Sequence, residues 1–293
     1  MHEFNSVKDL VDEAVKAGKN ISDLILEAQA LEMGRSKSEI FNDMAKNLKI
    51  MQEAVNKGIE SNKKSLSGLS GGDAYKMQQA VEKGRTLSGH MLGGILAKAL
   101  AVAEVNASMG RIVAAPTAGS CGILPAVLIT VMHQKEIPEE KVVMAMFTAG
   151  GIGLVIDKQA STSGADGGCQ AECGTAAAMA AAALVELSGG SPQMISSACA
   201  ISLKNIIGLV CDPVAGLVEV PCIKRNASGA ANALISAELA LAGIESKIPA
   251  DEVIGAINSV SNLMSPALKE TAEGGLATTP TGCRLAKEIF GDL

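Results

Sequence analysis

Residues 204–226 read KNIIGLVCDPVAGLVEVPCIKRN and contain two cysteines, Cys211 and Cys222, eleven positions apart. The prolines of Asp212-Pro213 and Pro221 disfavour helical backbone beside each thiol. We therefore expect both sulfurs on irregular backbone at the ends of short elements. The spacing is typical of neither one helical face nor a zinc knuckle, and it leaves both thiols available to a metal.

A third cysteine lies 42 residues before Cys211 in the stretch SGADGGCQAECG, where glycines precede Cys169 at the expected start of a helix. Three thiolates from separate loops can hold one iron-sulfur cluster, a cofactor that soft sulfur ligands suit. A fourth iron would then lack a protein ligand and could act on a substrate oxygen as a Lewis acid. Spacing alone leaves the alternative open that all three are buried structural cysteines.

The composition predicts an all-α fold. The 293 residues include four Phe, one Tyr and no Trp, so the core must be built from alanine, glycine and methionine at close helix-helix distances. Nearly every segment between turns repeats its apolar residues with a period near 3.6, and alternation with period two is absent. We expect a single catalytic domain, residues 1–293, with an N-terminal helical layer (1–64), a core (65–293), and a cluster site on interhelical loops.

The charge pattern excludes several classes of partner. A net charge of −6 and a pI near 5.2 argue against binding of nucleic acid or an anionic membrane surface. No secretory signal is visible in MHEFNSVKDL, and the longest uncharged segment, 142–156, is too short to cross a bilayer. We expect a soluble, cytoplasmic protein whose seven cysteines serve a metal or chemistry rather than disulfides.

Start and stop signals locate most of the helices. We predict a first helix from Val7 that stops at Gly18, a long helix that begins after Ser36 and ends by Gly58, and a helical run over about 85–107. The final segment RLAKEIFGDL is also expected to be helical. Further starts are predicted at Pro138, Ser191-Pro192, Asn226, Pro249 and Ser265-Pro266.

Two glycine-rich turns are candidate anion sites. The segment SLSGLSGGDAYK, residues 65–76, exposes backbone N–H groups around Ser70 and Gly71, although a solvated linker fits the same composition. In AAPTAGSCGILPAVL, residues 114–128, the backbone breaks just before an apolar helix, whose N-terminus favours a carboxylate or a phosphate. It lacks the Gly-Lys-Ser/Thr ending of a Walker loop, and AGGIG at 149–153 is only half of a dinucleotide motif.

Taken together, PTAGSCGILPAV, SGADGGCQAE, GLVCDPVAGLVEVPCIKRNA and GGLATTPTG resemble the α chain of bacterial iron-sulfur L-serine dehydratases over essentially the whole chain. The resemblance implies a predominantly helical fold and a 4Fe-4S cluster held by Cys169, Cys211 and Cys222, with one iron left for substrate. It also implies conversion of L-serine to pyruvate and ammonia without pyridoxal phosphate (PLP).

The resemblance also suggests how the substrate is held. The carboxylate is expected at the helix start after Pro116, with help from polar groups of the loops around Ser70 and Ser161. Lys204, Arg225 and Asn226 could neutralise the cluster or bind substrate, although a surface salt bridge fits Lys204 equally well. The predicted substrate-binding residues are Ser70, Gly71, Thr117, Ala118, Gly119, Ser120, Ser161, Ser163, Lys204, Arg225 and Asn226.

The remaining cysteines are predicted not to be ligands. Cys173 shares a helical face with Cys169 and is assigned to packing around the cluster, and Cys121 and Cys199 are expected to be small buried residues. Some single-chain relatives end in a cysteine that reaches the open iron. Here the chain continues past Cys283, which argues against that role.

Single-chain relatives carry an additional domain ahead of the helical region, and this sequence starts almost directly with that region. The resemblance to two-chain members implies a heterodimer with a separate β chain. The general base is not identified by the sequence. Among three histidines only His90 is a local candidate, so a base from the partner chain is preferred.

Three rival functions stay open. An L-cysteine desulfidase would use the same cluster type to capture sulfur rather than a hydroxyl group. A PLP-dependent deaminase would need a lysine such as Lys247, but Pro249 follows closely and the strand-rich pattern is missing. A non-catalytic cluster protein, structural or electron-transferring, would use four protein thiolates.

Overall fold

In the computed structural model, which describes residues 4–291, the chain forms thirteen α-helices and no β-sheet, and the all-α prediction is confirmed. The first seven helices are α1 (Val7–Ala17), α2 (Ile21–Met33), α3 (Lys37–Glu60), α4 (Asp73–Glu82), α5 (Gly89–Ala107), α6 (Ile123–Gln134) and α7 (Glu139–Gln159). The others are α8 (Gly164–Gly167), α9 (Cys169–Leu187), α10 (Pro192–Lys204), α11 (Cys222–Leu241), α12 (Ala250–Leu263) and α13 (Pro280–Phe290). Short 3-10 turns cover Val214–Gly216, Pro266–Leu268 and Gly275–Thr278.

Local signals account for many of the helix ends. Gly18 ends α1 with left-handed backbone, as predicted. Ser36 and Glu39 form the capping box that begins α3, and Ser191 caps α10 with Pro192 in its first turn. The predicted C-terminal helix is confirmed up to Phe290 as α13, which Thr279 caps, and residues 292 and 293 of that prediction lie outside the described residues.

Some predicted boundaries are wrong. The run over 85–107 begins only at Gly89, and an unpredicted helix, α4, precedes it. Asn226 does not begin a helix, because α11 starts at Cys222 and includes it. Pro221 stands just outside the first turn of α11, where its missing N–H costs nothing, so the helix begins earlier than the Pro-Cys pair suggested. Likewise, α3 continues past Gly58 to Glu60.

Small side chains build the core. Helix α9 packs against α7, α10 and α11, and its run of residues 176–183 is entirely buried. A side chain at Gly58 of α3 would overlap the carbonyl oxygen of Ala101 in α5, so the two backbones nearly touch. Buried apolar residues from Val7 to Ile257 join into one continuous core. The predicted close packing of helices is confirmed.

Carboxylates from distant helices hold several helix starts. Asp251 of α12 accepts the N–H groups of Val7 and Lys8 at 2.8 and 3.0 Å. Glu104 of α5 accepts those of Gly72, Asp73 and Ala74 at 3.2, 2.8 and 3.4 Å. The first N–H groups of a helix have no partner within it, so each carboxylate supplies one and faces the positive end of the helix dipole. These contacts fix helix positions that short-range signals do not specify.

No helix within residues 4–291 combines the length and the apolar character needed to cross a membrane.

Candidate functional site

The three predicted ligand cysteines come from three segments and are all buried. Cys169 is the first residue of α9, and Cys222 is the first residue of α11. Cys211 lies on a short bridge to Lys269, where its N–H donates to the carbonyl of Leu268 at 2.9 Å. The prediction of thiols at the ends of short elements therefore holds for Cys211, whereas Cys222 begins a 20-residue helix.

These thiols lie close enough to influence one another electrostatically. Burial, with a smaller effect from the charge of Cys169, raises the pKa of Cys222 to about 12. Burial also raises the pKa of Cys211 well above its ordinary value, with added effects from Cys169 and Cys222. In contrast, the pKa of Cys169 is lowered, first by its hydrogen bond with Cys173, whose sulfur lies 3.3 Å away, and then by the charge of Arg225.

The chemistry of this donor set fits an iron-sulfur cluster. Two of the three sulfurs stand at helix N-termini, where the dipole stabilises a thiolate. Within residues 4–291, no three His, Cys, Asp or Glu side chains are placed to hold a single metal ion. A cluster of several irons binds each thiolate through a different iron, so its ligands are spread more widely than those of one ion.

Arg225 supplies positive charge beside the thiols. Its guanidinium lies 2.8 Å from the buried carboxylate of Asp212 and donates to the carbonyl of Val210 at 2.8 Å. The second oxygen of Asp212 accepts the N–H of Leu276 at 2.8 Å, which ties the GGLATTPTG segment to the segment that carries Cys211. The cation also faces Cys169 and Cys222, whose charges raise its pKa against the effect of burial.

Two glycines allow the backbone to approach the cysteines. Gly168 has a φ of +74° immediately before Cys169, and a Cβ there would lie 3.0 Å from the carbonyl oxygen of Leu209. A Cβ at Gly164 would lie 3.3 Å from Sγ of Cys211 and 3.4 Å from the carboxylate of Glu172. A larger residue at Gly164 would crowd the thiol of Cys211, and one at Gly168 would crowd the backbone of Leu209.

The start of α6 is fastened to α11 by Asn226, which is completely buried. The side-chain oxygen of Asn226 accepts the N–H of Gly122 at 2.8 Å, and its NH₂ group donates to the carbonyls of Gly119 and Cys222 at 2.7 and 3.0 Å. The predicted anion site at this helix start therefore lies directly beside a predicted cluster ligand.

A carboxylate of the chain itself lies at that start. Glu172 of α9 accepts a hydrogen bond from the hydroxyl of Thr117, which also contacts Ser120 at 3.1 Å. A Cβ at Gly119 would lie 2.6 Å from Oε1 of Glu172. Burial raises the pKa of Glu172, and the charge of Glu270 adds to the rise while the Thr117 hydrogen bond opposes it.

The serine-rich turn between α3 and α4 also contacts a carboxylate of the chain. The hydroxyls of Ser65 and Ser67 donate to Glu219 at 2.6 and 2.7 Å, and Ser70 donates a third hydrogen bond. Gly71 has a φ of +111° in the same turn. The turn is an ordered element bound to the Cys211–Cys222 segment, so the linker alternative is wrong.

The other predicted residues have different partners. Ser161 donates to Asp166 at 2.9 Å, and Ser163 caps α8 beside Gly164. Lys204 donates to Ser246 at 2.9 Å on the surface rather than forming a salt bridge. Exposed positions are occupied by His90, Lys247 and Cys283, the last with its thiol 3.8 Å from the carbonyl of Ala277.

The acidic residues of the site were not among those predicted from the sequence. Glu172 follows Cys169 by three positions on one helical face, a signal that was present in SGADGGCQAE. Glu219 is the one charged residue in the otherwise apolar run 213–221, which is also a usable signal. Glu270, whose N–H donates to the carbonyl of Cys211 at 2.8 Å, has no such signal, because the bridge that brings it there is tertiary.

Comparisons with known proteins agree with the resemblance. A family model described as the serine dehydratase alpha chain matches residues 16–277. The chain is 51% identical to a probable L-serine dehydratase alpha chain of Bacillus subtilis (strain 168), over 98% of this chain and 96% of that protein. It is 42% identical to an L-serine dehydratase alpha chain of Peptoniphilus asaccharolyticus, over 98% of each. An L-serine dehydratase of Streptomyces coelicolor is 37% identical over 96% of this chain, which spans 62% of that protein.

Proposed function

This chain belongs to the serine dehydratase alpha chain family, and on that premise we propose that it carries the catalytic site of an iron-sulfur L-serine dehydratase. The proposed reaction eliminates water from L-serine and, after hydrolysis of the enamine product, yields pyruvate and ammonia without PLP. The observation that carries the proposal is the meeting of three buried thiols from separate segments, with Arg225 beside them.

We propose that Cys169, Cys211 and Cys222 hold a 4Fe-4S cluster. When bound there, the cluster would supply one iron without a protein ligand, a Lewis acid for the hydroxyl leaving group of L-serine. The helix starts at Cys169 and Cys222 stabilise thiolates, and Arg225 offsets part of their negative charge. Burial excludes water from these sulfurs and strengthens each of those electrostatic interactions.

The start of α6 is the proposed site for the substrate carboxylate. The positive end of its helix dipole attracts an anion, and Asn226 holds the helix start beside Cys222. The residues proposed there are Thr117, Ala118, Gly119 and Ser120, with Ser70, Gly71, Ser161 and Ser163 on the neighbouring loops. A carboxylate fixed at this point would orient the rest of the substrate towards the thiols.

We also propose that a separate β chain completes the enzyme. Two similar proteins are called alpha chains, a name that implies a partner chain. The exposure of His90 supports a general base from the partner chain rather than from this one.

Iron and acid-labile sulfide in protein purified without oxygen test the cofactor directly. We expect about four of each per chain. Substitution of Cys169, Cys211 or Cys222 by serine should remove or cripple the cluster, whereas Cys199→Ser, in α10, should leave it intact. Full cluster content in any of the three ligand variants would contradict the assignment.

The activity needs its own assay with the assembled enzyme. Pyruvate release from L-serine and sulfide release from L-cysteine should be measured side by side, with the cluster's absorbance recorded before and after L-serine is added. We expect pyruvate from L-serine and a spectral change, because substrate would bind the open iron. Faster sulfide release would indicate a desulfidase, and an unchanged spectrum without turnover would indicate a non-catalytic cluster protein.

A further inference from the structure

Three serine hydroxyls donate hydrogen bonds to the carboxylate of Glu219. Within residues 4–291 the side-chain partners of this buried carboxylate are Ser65, Ser67 and Ser70, not a lysine or an arginine. An ionised carboxylate can only accept hydrogen bonds, so each of the three hydroxyl protons must point towards it. The direction of every hydroxyl in the turn is therefore determined by one residue.

That direction determines how the turn itself folds. With their protons used, the serine oxygens present lone pairs to the turn's own N–H groups. Ser67 Oγ accepts from Leu69 at 3.1 Å, and Ser65 Oγ accepts from Ser70 at 3.4 Å. The N–H of Ser65 then closes the turn on the carbonyl of Ser70 at 3.0 Å. A group at position 219 that donated a proton would replace one of the three hydrogen bonds to Glu219 and reverse one hydroxyl, whose oxygen would then accept from that group as well as from the turn.

Glu219 belongs to the segment that carries the thiols. It lies between Cys211 and Cys222, and its carbonyl accepts the N–H of Ile223 at 3.0 Å as the chain enters α11. Its side chain joins this segment to a turn about 150 residues earlier in the sequence. The contact is the direct link between the proposed substrate loop and the proposed cluster segment.

We propose that Glu219 is a positioning residue: it holds the turn 65–72 at a fixed place against the Cys211–Cys222 segment, so that L-serine bound by the turn meets the cluster in a productive orientation. This inference rests on the proposed function. Glu219 need not touch the substrate, because its three hydrogen bonds go to the serines.

The test substitutes Glu219→Gln and Glu219→Asp in the assembled enzyme purified without oxygen. Glutamine keeps the shape but places an NH₂ donor against a hydroxyl proton, whereas aspartate remains an acceptor only. For the glutamine variant we expect KM for L-serine to rise about tenfold, the effect of losing one hydrogen bond to a charged group, with kcat changed much less. Iron and sulfide per chain should match the wild type, and aspartate should recover part of the loss in KM.

Glu186→Gln is the matched control. Glu186 is a half-buried carboxylate that likewise has no lysine or arginine among its hydrogen-bond donors within residues 4–291, accepting from Ser22 N–H at 3.3 Å and Thr148 at 2.7 Å. It lies 17 residues along α9 from Cys169, about 25 Å at the rise of an α-helix. Its loss should lower stability without changing KM, which separates a general stability effect from positioning.

Three results would overturn the inference. The first is an unchanged KM in Glu219→Gln with full iron content. The second is loss of the cluster in that variant, which would assign Glu219 to cluster assembly. If the glutamine variant does not fold, Ser65→Ala and Ser67→Ala each remove one donor that is not a proposed substrate-binding residue, and an unchanged KM in both would be the third such result. A wild-type enzyme with a full cluster and no activity on L-serine would instead refute the proposed function.

Discussion

Replacing Asn226 by alanine removes a side chain that joins three parts of the site. Its amide bonds Gly122 and Gly119 at the start of α6 and the carbonyl of Cys222 in the first turn of α11. The residue is fully buried, so water cannot replace these partners. Asn226→Ala therefore leaves the N–H of Gly122 and the carbonyl of Gly119 without hydrogen bonds inside the protein.

The magnitude follows from those two orphaned groups. An unsatisfied buried N–H or C=O costs about 1–3 kcal/mol, so their joint loss should destabilise the native state by about 3 kcal/mol. For a chain of this size, about 1 kcal/mol corresponds to roughly 2 °C in the melting midpoint. We expect the midpoint of Asn226→Ala to fall by roughly 6 °C at the same cofactor content.

Circular dichroism melting under nitrogen measures this shift. Asn205→Ala is the matched control, because Asn205 is exposed and its amide donates to Asn232 at 2.8 Å. Its midpoint should move by less than about 1 °C. Asn226→Asp should be no more stable than the alanine variant at neutral pH, because its second oxygen would face two carbonyl oxygens.

Equal midpoints for Asn226→Ala and Asn205→Ala would refute this reasoning. They would mean that the start of α6 is held by packing and that its hydrogen bonds to α11 contribute nothing measurable. A stable Asn226→Asp would show that volume, rather than the direction of the hydrogen bonds, is what the site requires.

Burial raises the pKa of Glu104 above the 4.5 of a free glutamate, so the native state gains stability below that pH and loses it as the pH rises through the folded value. The melting midpoint of wild type, relative to that of Glu104→Gln, should therefore decrease as the pH rises above 4.5, and a constant difference would contradict this. Gly58→Ala should lower the melting midpoint by several degrees, because the added Cβ overlaps the backbone of α5. Gly150→Ala, whose Cβ would have nothing within 4 Å, should leave the midpoint unchanged or raise it, and similar midpoints for the two variants would contradict this prediction. Arg225→Lys keeps the positive charge, but a lysine cannot contact Asp212 and the carbonyl of Val210 at once as the guanidinium does. Iron per chain should therefore fall at least twofold, and an unchanged iron content would contradict the proposed role of Arg225 beside the cluster.

Local physics made much of the fold predictable. Ser36, Gly18 and Pro192 act within one helical turn, so their effects can be read without knowledge of the rest of the chain. The scarcity of aromatics predicted close helix packing, which the contact of Gly58 with α5 shows. The start of α4 could not be found in this way, because Glu104, which satisfies its N–H groups, lies about 30 residues away.

In the candidate site too, short sequence motifs determined some features and the tertiary structure determined the others. The identity of the cysteines and the glycines that precede Cys169 are written in short motifs, so the sequence was enough to select them, and the family follows from those motifs. Their assignment as cluster ligands stays a prediction. Glu172 and Glu219 carry a local signal in the sequence, but the hydroxyl groups that they contact were decided by the tertiary structure. A carboxylate pairs with whatever hydroxyl or N–H group the fold brings within about 3 Å, and that proximity between distant segments is not encoded in local spacing.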